Sequence, residues 1–220
     1  MDEELIKKLS GGMITREEIF NRLSNKNINQ KIFMIPLIKK SQIGRGSVDI
    51  RLGTEFIIFR RTKYSILDIL DKNKENLESD IGKYQEKVYV PIGEKLILHP
   101  QQLVLGCTLE YFRLPNDLMG EVIGRSSWGR LGLIISAAIL VHPNFAGVIT
   151  LELANEGDTP IPLYPGIRIA QLIFQKFTNS KDLGEEILDT KYIGSVGPVF
   201  SKIYEDDDWD ILRKLRKNRN

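Results

Sequence analysis

One cysteine, two histidines and no long apolar run are the scarcest features of this 220-residue chain, and each shortage removes a class of function. Cys107 stands alone, so no disulfide can close within the chain, which fits a reducing compartment. His99 and His142 are each followed by proline and lie in different segments, so a zinc site built from cysteine and histidine is starved of donors. The apolar stretch from 131 to 141 contains Gly132 and Ser136 and falls short of the ~20 residues a membrane helix needs. The opening residues, Met1-Asp2-Glu3-Glu4, have neither the basic start nor the apolar stretch of a secretory signal. A cytoplasmic protein with no membrane partner is therefore expected. An excess of one charge is lacking too. Lys and Arg total 31 against 29 Asp and Glu, a net +2 that suggests no nucleic-acid partner, so any phosphate binding must come from a local site.

What is present is enough apolar sequence, 42%, to bury one sizeable core. The expected organisation is a single domain over 1–200 and a charged tail over 201–220. Thr15-Arg16-Glu17-Glu18 is a capping box ahead of Ile19, Phe20 and Leu23, and predicts a short helix ending near Asn25. From Ser47 the period changes to two: Val48, Ile50 and Leu52 alternate with Asp49 and Arg51, as in a strand with one polar face, and Phe56 to Phe59 runs on. Residues 60–87 mix both charge signs with few large apolar groups and are expected as an exposed loop, with a lid as the functional alternative. From Val88 onward, short apolar runs are cut by Pro91-Ile92-Gly93, His99-Pro100, Leu114 to Asp117, His142-Pro143-Asn144, Asn155 to Asp158 and Tyr164-Pro165-Gly166. That rhythm predicts an all-β barrel or sandwich. The tail runs from an acidic cluster, Glu205 to Asp208, into a basic end, and Trp209, Ile211, Leu212 and Leu215 could form an amphipathic turn or two; a solvated tail is expected.

Three stretches break this pattern. In Gly124-Arg125-Ser126-Ser127-Trp128-Gly129-Arg130-Leu131-Gly132-Leu133, glycines allow close backbone approach, hydroxyls donate hydrogen bonds and guanidiniums pair with phosphate, which suits an anion site; a serine-capped strand-to-helix turn accounts for it equally well. Glu152 shares a strand face with Thr150 and Val148, and a carboxylate among apolar neighbours is costly unless paired or raised in pKa, as a general base near neutral pH requires. A glutamate facing outward on a half-exposed strand is the commoner arrangement. Lys191-Tyr192-Ile193-Gly194-Ser195-Val196-Gly197-Pro198 could fold over phosphates, on a weaker signal.

Together these stretches resemble the dCTP deaminase branch of the deoxyuridine triphosphatase superfamily. Ser47 to Gly53 is similar to the family's early strand, Leu98-His99-Pro100, Thr108-Leu109-Glu110 and Leu114-Pro115 to the segment before its site, and Gly124 to Leu133 to its Arg-Ser-Ser-x-x-Arg-x-Gly-Leu signature. Tyr164-Pro165-Gly166, Ile169-Ala170-Gln171-Leu172 and Lys191 to Pro198 extend the likeness over roughly residues 13 to 201. The resemblance implies a mainly β fold, a distorted β-barrel or jelly roll of the dUTPase-like kind with a short N-terminal helix and a C-terminal tail, assembled as a homotrimer with shared sites. It implies hydrolytic deamination of dCTP to dUTP and ammonia. Glu152 is then the general base, Ser126, Arg130 and the backbone near Ala138 hold water and base, and Arg125, Ser127, Gln171 and Lys191 bind a triphosphate that carries magnesium. Phe145 lies against the deoxyribose, and Trp128, His142, Thr150, Leu151, Tyr192 and Ser195 complete the substrate-binding set. On this reading burial raises the pKa of Glu152 and Arg130 opposes the rise. The zinc-dependent deaminases need H-x-E and P-C-x-x-C motifs that do not occur here, so no zinc and no protein-held metal are expected. By the same resemblance dTTP is a candidate inhibitor.

The departures are specific. Ser136-Ala137-Ala138-Ile139-Leu140-Val141-His142-Pro143 replaces the family's Thr-Ala-His-x-Ile followed by Asp-Pro, one residue short, so His142 stands where a carboxylate usually contacts the sugar. Ser195 stands where glutamine is frequent, and the tyrosine expected ahead of Lys191 is not evident. A dUTP-hydrolysing or bifunctional enzyme and a non-catalytic nucleotide-binding relative are the alternatives: the missing aspartate counts against the first, the intact Ser126, Arg130 and Glu152 against the second.

Overall fold

The threonine half of the expected capping box forms. Thr15 Oγ1 accepts from the Glu18 backbone N–H at 3.4 Å and starts helix α1, Arg16–Ser24, which ends at Asn25. In this computed structural model the described residues are 12–60, 68, 70, 79, 81–135, 139–176 and 192–217. The Glu18 side chain turns to Arg22 at 2.9 Å, and Arg22 also grips Asp117, tying the helix to the turn after Pro115. Among the described residues no helix is long and apolar enough to cross a membrane.

The rest is antiparallel sheet. Strands β1 (Gly12–Met13), β2 (Phe33–Ile35), β3 (Ser47–Arg51), β4 (Glu55–Phe59), β5 (Gln85–Tyr89), β6 (Leu96–Leu98), β7 (Leu103–Arg113), β8 (Leu118–Gly124), β9 (Leu133–Ile135), β10 (Ile139–Val141), β11 (Ala146–Asn155), β12 (Ile161–Leu163) and β13 (Arg168–Lys176) follow in chain order. One sheet runs β1-β13-β8-β10 with β3 also on β13; a second runs β5-β4-β7-β11-β9 with β2 on β7; β12 and β6 pair alone. Val48, Ile50, Val122, Leu172 and Phe174 of the first sheet pack with Phe56, Val104, Phe112, Leu151 and Leu153 of the second in one core. Each large side chain removed from water there contributes about 2 kcal/mol. The mainly β architecture is the one the turn rhythm and the resemblance imply.

Two irregularities position the site. β7 and β11 change register between Val148 and Thr150, and beyond that bulge Leu151 and Leu153 point into the core while Thr150 and Glu152 face outward. Gly147, at φ +151, lets the chain's later segment come close: a Cβ there would lie 2.9 Å from Ser195 Oγ. That segment runs along β11, with Gly194 N–H donating to the Ala146 carbonyl at 2.6 Å, Val148 N–H to that of Ser195 at 2.9 Å, and Val199 N–H to Thr150 Oγ1 at 3.3 Å.

Asp49 on β3 is only 7% exposed, because β13 and the loop after β8 cover it. Two expectations need correction. The stretch 60–87 is not wholly an exposed loop, since β5 begins at the buried Gln85; residues 61–67, 69, 71–78 and 80 lie outside the described residues. The tail carries more than a turn or two of helix: α3 spans Asp208–Lys217, and the Trp209 indole N–H donates to the Ile203 carbonyl at 2.7 Å.

Candidate active site

Strand β8 ends at Gly124, and Arg125 leads into a one-turn helix, α2, Ser126–Gly129. Arg125, Ser127 and Trp128 line a cavity of about 530 Å³ together with Arg51, Leu131, Gly166, Ile167 and Arg168. Beneath it lies Asp49. Its Oδ1 accepts from Arg125 Nη1 at 2.7 Å and from Gln171 Nε2 at 3.0 Å, and its Oδ2 accepts from Arg168 Nη1 at 2.9 Å. Asp49 and Gln171 are cross-strand partners on β3 and β13. The Trp128 indole donates to the Arg168 carbonyl at 3.0 Å and fixes that wall. Gly132 of the signature, at φ +91, has no room for a Cβ, which would stand 2.7 Å from the Gly157 backbone.

A second cavity, about 520 Å³, opens on the outer face of the other sheet. Thr150 and Glu152 of β11, Phe145, Tyr192 and Ser195 line it with Ile139, Leu140 and Val141 of β10. Apart from Glu152, Gln85 and a few hydroxyls its walls are apolar. Glu152 is exposed in the protomer, and its carboxylate makes no hydrogen bond or ion pair among the described residues. The burial expected around it is not supplied by the described residues. The two cavities share no lining residue, so the groups that the resemblance gathers into one site lie on two faces of the protomer.

Other expected site residues sit outside both cavities. Ser126 on α2 and Arg130 at its C-terminal end are exposed, as is His142 after β10. Gln171 reaches the arginine cavity only through Asp49. Leu151 is fully buried, which leaves its backbone as the only part that can meet a ligand. Ala138 and Lys191 lie outside the described residues. Among the described residues no three His, Cys, Asp or Glu side chains stand together as metal ligands.

Burial pushes the carboxyl group of Glu110 above its ordinary value. Glu110 on β7 is fully buried, and desolvation outweighs the opposing hydrogen bonds. It accepts from the Arg51 backbone N–H at 2.8 Å, from Arg51 Nη1 at 3.3 Å and from Gln42 Nε2 at 2.8 Å. Cys107, also buried, has its thiol pushed up to about 12 by the same cause, so it is no nucleophile at neutral pH. Sequence reasoning about chemistry missed Asp49, Arg51, Arg168 and Glu110 around the first cavity, and Phe59, Tyr84 and Gln85 in the second. For Asp49 the available signal was the one used for Glu152, a carboxylate alternating with apolar residues in a strand.

Residues 13–177 match the family model described as dCTP deaminase-like. A protein of Methanobrevibacter smithii named "dCTP deaminase, dUMP-forming" is 40% identical over 192 residues, 84% of this chain and 96% of that one. The "dCTP deaminase" of Natronomonas pharaonis is 40% identical over 171 residues, 76% of this chain and 84% of its own length. The crystal structure of 2′-deoxycytidine 5′-triphosphate deaminase from Agrobacterium tumefaciens superposes with a TM-score of 0.56 at 18% identity, covering 76% of this chain and about half, 49%, of that one. With its fold, its signature helix and a model match over most of its length, this chain belongs to the dCTP deaminase-like family.

Proposed function

We propose that the protein deaminates dCTP hydrolytically, with Glu152 as general base. The observation that carries this reading is the bulge in β11, which turns Glu152 and Thr150 out of the core into a mainly apolar cavity, with the carboxylate unpaired among the described residues. Water adds to the ring carbon bearing the amino group, Glu152 takes the water's proton and delivers it to the departing nitrogen, and the C–N bond breaks to give ammonia and a uracil ring. Ser126, Arg130 and the backbone at Ala138 hold the water and base, while Arg125 and Ser127 take the triphosphate, which enters as its magnesium complex. Phe145 and Tyr192 pack against the deoxyribose, and dTTP, which shares sugar and triphosphate, competes for the same place. A cytoplasmic setting suits a nucleotide substrate and a lone reduced thiol.

The separation of the two cavities supports a site completed between copies of the chain. Arg130 and Ser126 of one protomer would then cover Glu152 of the next and exclude water from it. Ile123, Leu131, Ile134 and Leu140, all exposed apolar side chains on β8, β9, β10 and the turn after α2, supply the contact surface. A homotrimer of about 75 kDa, three chains of 25.2 kDa, is the expected species in sedimentation. A fully active monomer contradicts the shared site.

For the product, His142 offers one acceptor nitrogen where a carboxylate would offer two oxygens to align a water on phosphorus, which favours release of dUTP. The name of the Methanobrevibacter relative favours a second reading, in which triphosphate hydrolysis follows and dUMP and pyrophosphate leave. Incubation with dCTP and separately with dUTP, assaying ammonia and pyrophosphate, decides between them. Ammonia from dCTP without pyrophosphate is expected, and rapid pyrophosphate from dUTP establishes the second reading.

A further inference from the structure

Arg125 and Gln171, the two described side chains in the triphosphate set that reach Asp49, converge on a carboxylate that the resemblance leaves without a role. Asp49 is 7% exposed, and a carboxylate so far from water is tolerated only when its lone pairs are filled. Three donors fill them. Arg125 comes from the end of β8, Gln171 and Arg168 from β13, and Asp49 itself from β3, so one side chain ties together groups from three strands. The bonds to Asp49 engage a single Nη of each arginine, and the other guanidinium nitrogens remain for the cavity that both line. Arg51 adds a third guanidinium to the same walls, held from behind by Glu110. Three arginines and the Ser127 hydroxyl around about 530 Å³ make a receptor for several negative charges in a row, more than one phosphate requires.

We propose that Arg168 is a further triphosphate-binding residue and that Asp49 is the positioning residue setting Arg125, Arg168 and Gln171 at the spacing a triphosphate needs. Free arginine side chains lose rotamer freedom when they meet a ligand. Those fixed on Asp49 have already lost it during folding. Arg168 is the group whose side chain stays half-exposed, 52%, while anchored in this way, so it can change partners at low cost. The proposal rests on the dCTP reading above, and its test is arranged to separate the two.

The test is calorimetric binding of dCTP and of dCMP to the wild type, Arg168→Gln, Arg168→Lys and Asp49→Asn. Arg168→Gln weakens dCTP about tenfold and dCMP by less than about twofold, and Arg168→Lys recovers part of the loss. Asp49→Asn weakens dCTP by a similar factor, and adding Arg168→Gln to it costs less than in the wild type, because the arginine is no longer held. A merely structural Asp49 would lower the melting temperature and weaken both nucleotides alike. Arg168→Gln, a half-exposed change expected to fold, overturns the assignment if its dCTP affinity stays within about twofold of wild type; unchanged or tighter dCTP binding by folded Asp49→Asn overturns the positioning role. A wild-type protein that binds neither nucleotide refutes the deaminase reading and this proposal with it, whereas wild-type binding with indifferent variants refutes this proposal alone.

Discussion

At the arginine cavity the carboxylate is Asp49, buried and held by three donors; at the apolar cavity it is Glu152, exposed and unpaired among the described residues. Each sits between two apolar residues of a strand, Asp49 between Val48 and Ile50 on β3 and Glu152 between Leu151 and Leu153 on β11. The difference lies in what surrounds them. Asp49 has neighbouring strands on which cationic and amide donors stand, so its charge is balanced inside the fold and organises other groups. Glu152 is turned out by a bulge and is unpaired among the described residues, which leaves its charge open to a ligand.

Breaking the contrast at Glu152 should produce the largest effect. Glu152→Gln keeps the shape of the side chain but cannot accept the water's proton, so turnover falls by about a thousandfold while the arginine cavity keeps its affinity for dCTP. Breaking the other side through Glu110 acts on stability instead. Glu110→Ala leaves a cavity and strands the Arg51 guanidinium and the Gln42 amide without their acceptor, a loss of about 4 kcal/mol measured by urea unfolding. A smaller effect concerns pH. Burial holds the Glu110 carboxyl above its ordinary 4.5, so the folded state binds that proton more tightly than the unfolded state. Its contribution is complete below the ordinary value and is lost as pH rises through the raised one. The stability gap between wild type and Glu110→Ala should therefore be widest in acid and narrow toward neutrality; a gap that widens with pH contradicts the direction.

The sequence carried the helix after Thr15 to its last residue because capping is local chemistry, and the strand rhythm because proline and glycine act where they stand. The signature from Gly124 to Leu133 stood out as a candidate anion site, and the structure explains one of its glycines: Gly132 meets Gly157 too closely for any side chain. Alternation put Asp49 on a strand but could not show that it is buried, since period two says which residues share a face but not whether a neighbouring strand covers that face. Glu110 was invisible as a charged core residue because its partners, Gln42 and Arg51, are 68 and 59 positions away. The C-terminal helix was underestimated because its charged residues outnumber its apolar ones, and the separation of the two cavities depends on β10, β11 and β13 meeting in three dimensions.

Ammonia released from dCTP by the wild type and by Glu152→Gln, measured beside calorimetric dCTP binding by both, tests the central claim most directly. The account predicts one ammonia per dCTP from the wild type, and release about a thousandfold slower from a variant that still binds the nucleotide. A variant that binds dCTP and turns it over within about tenfold of wild type would remove Glu152 from the chemistry and contradict the account.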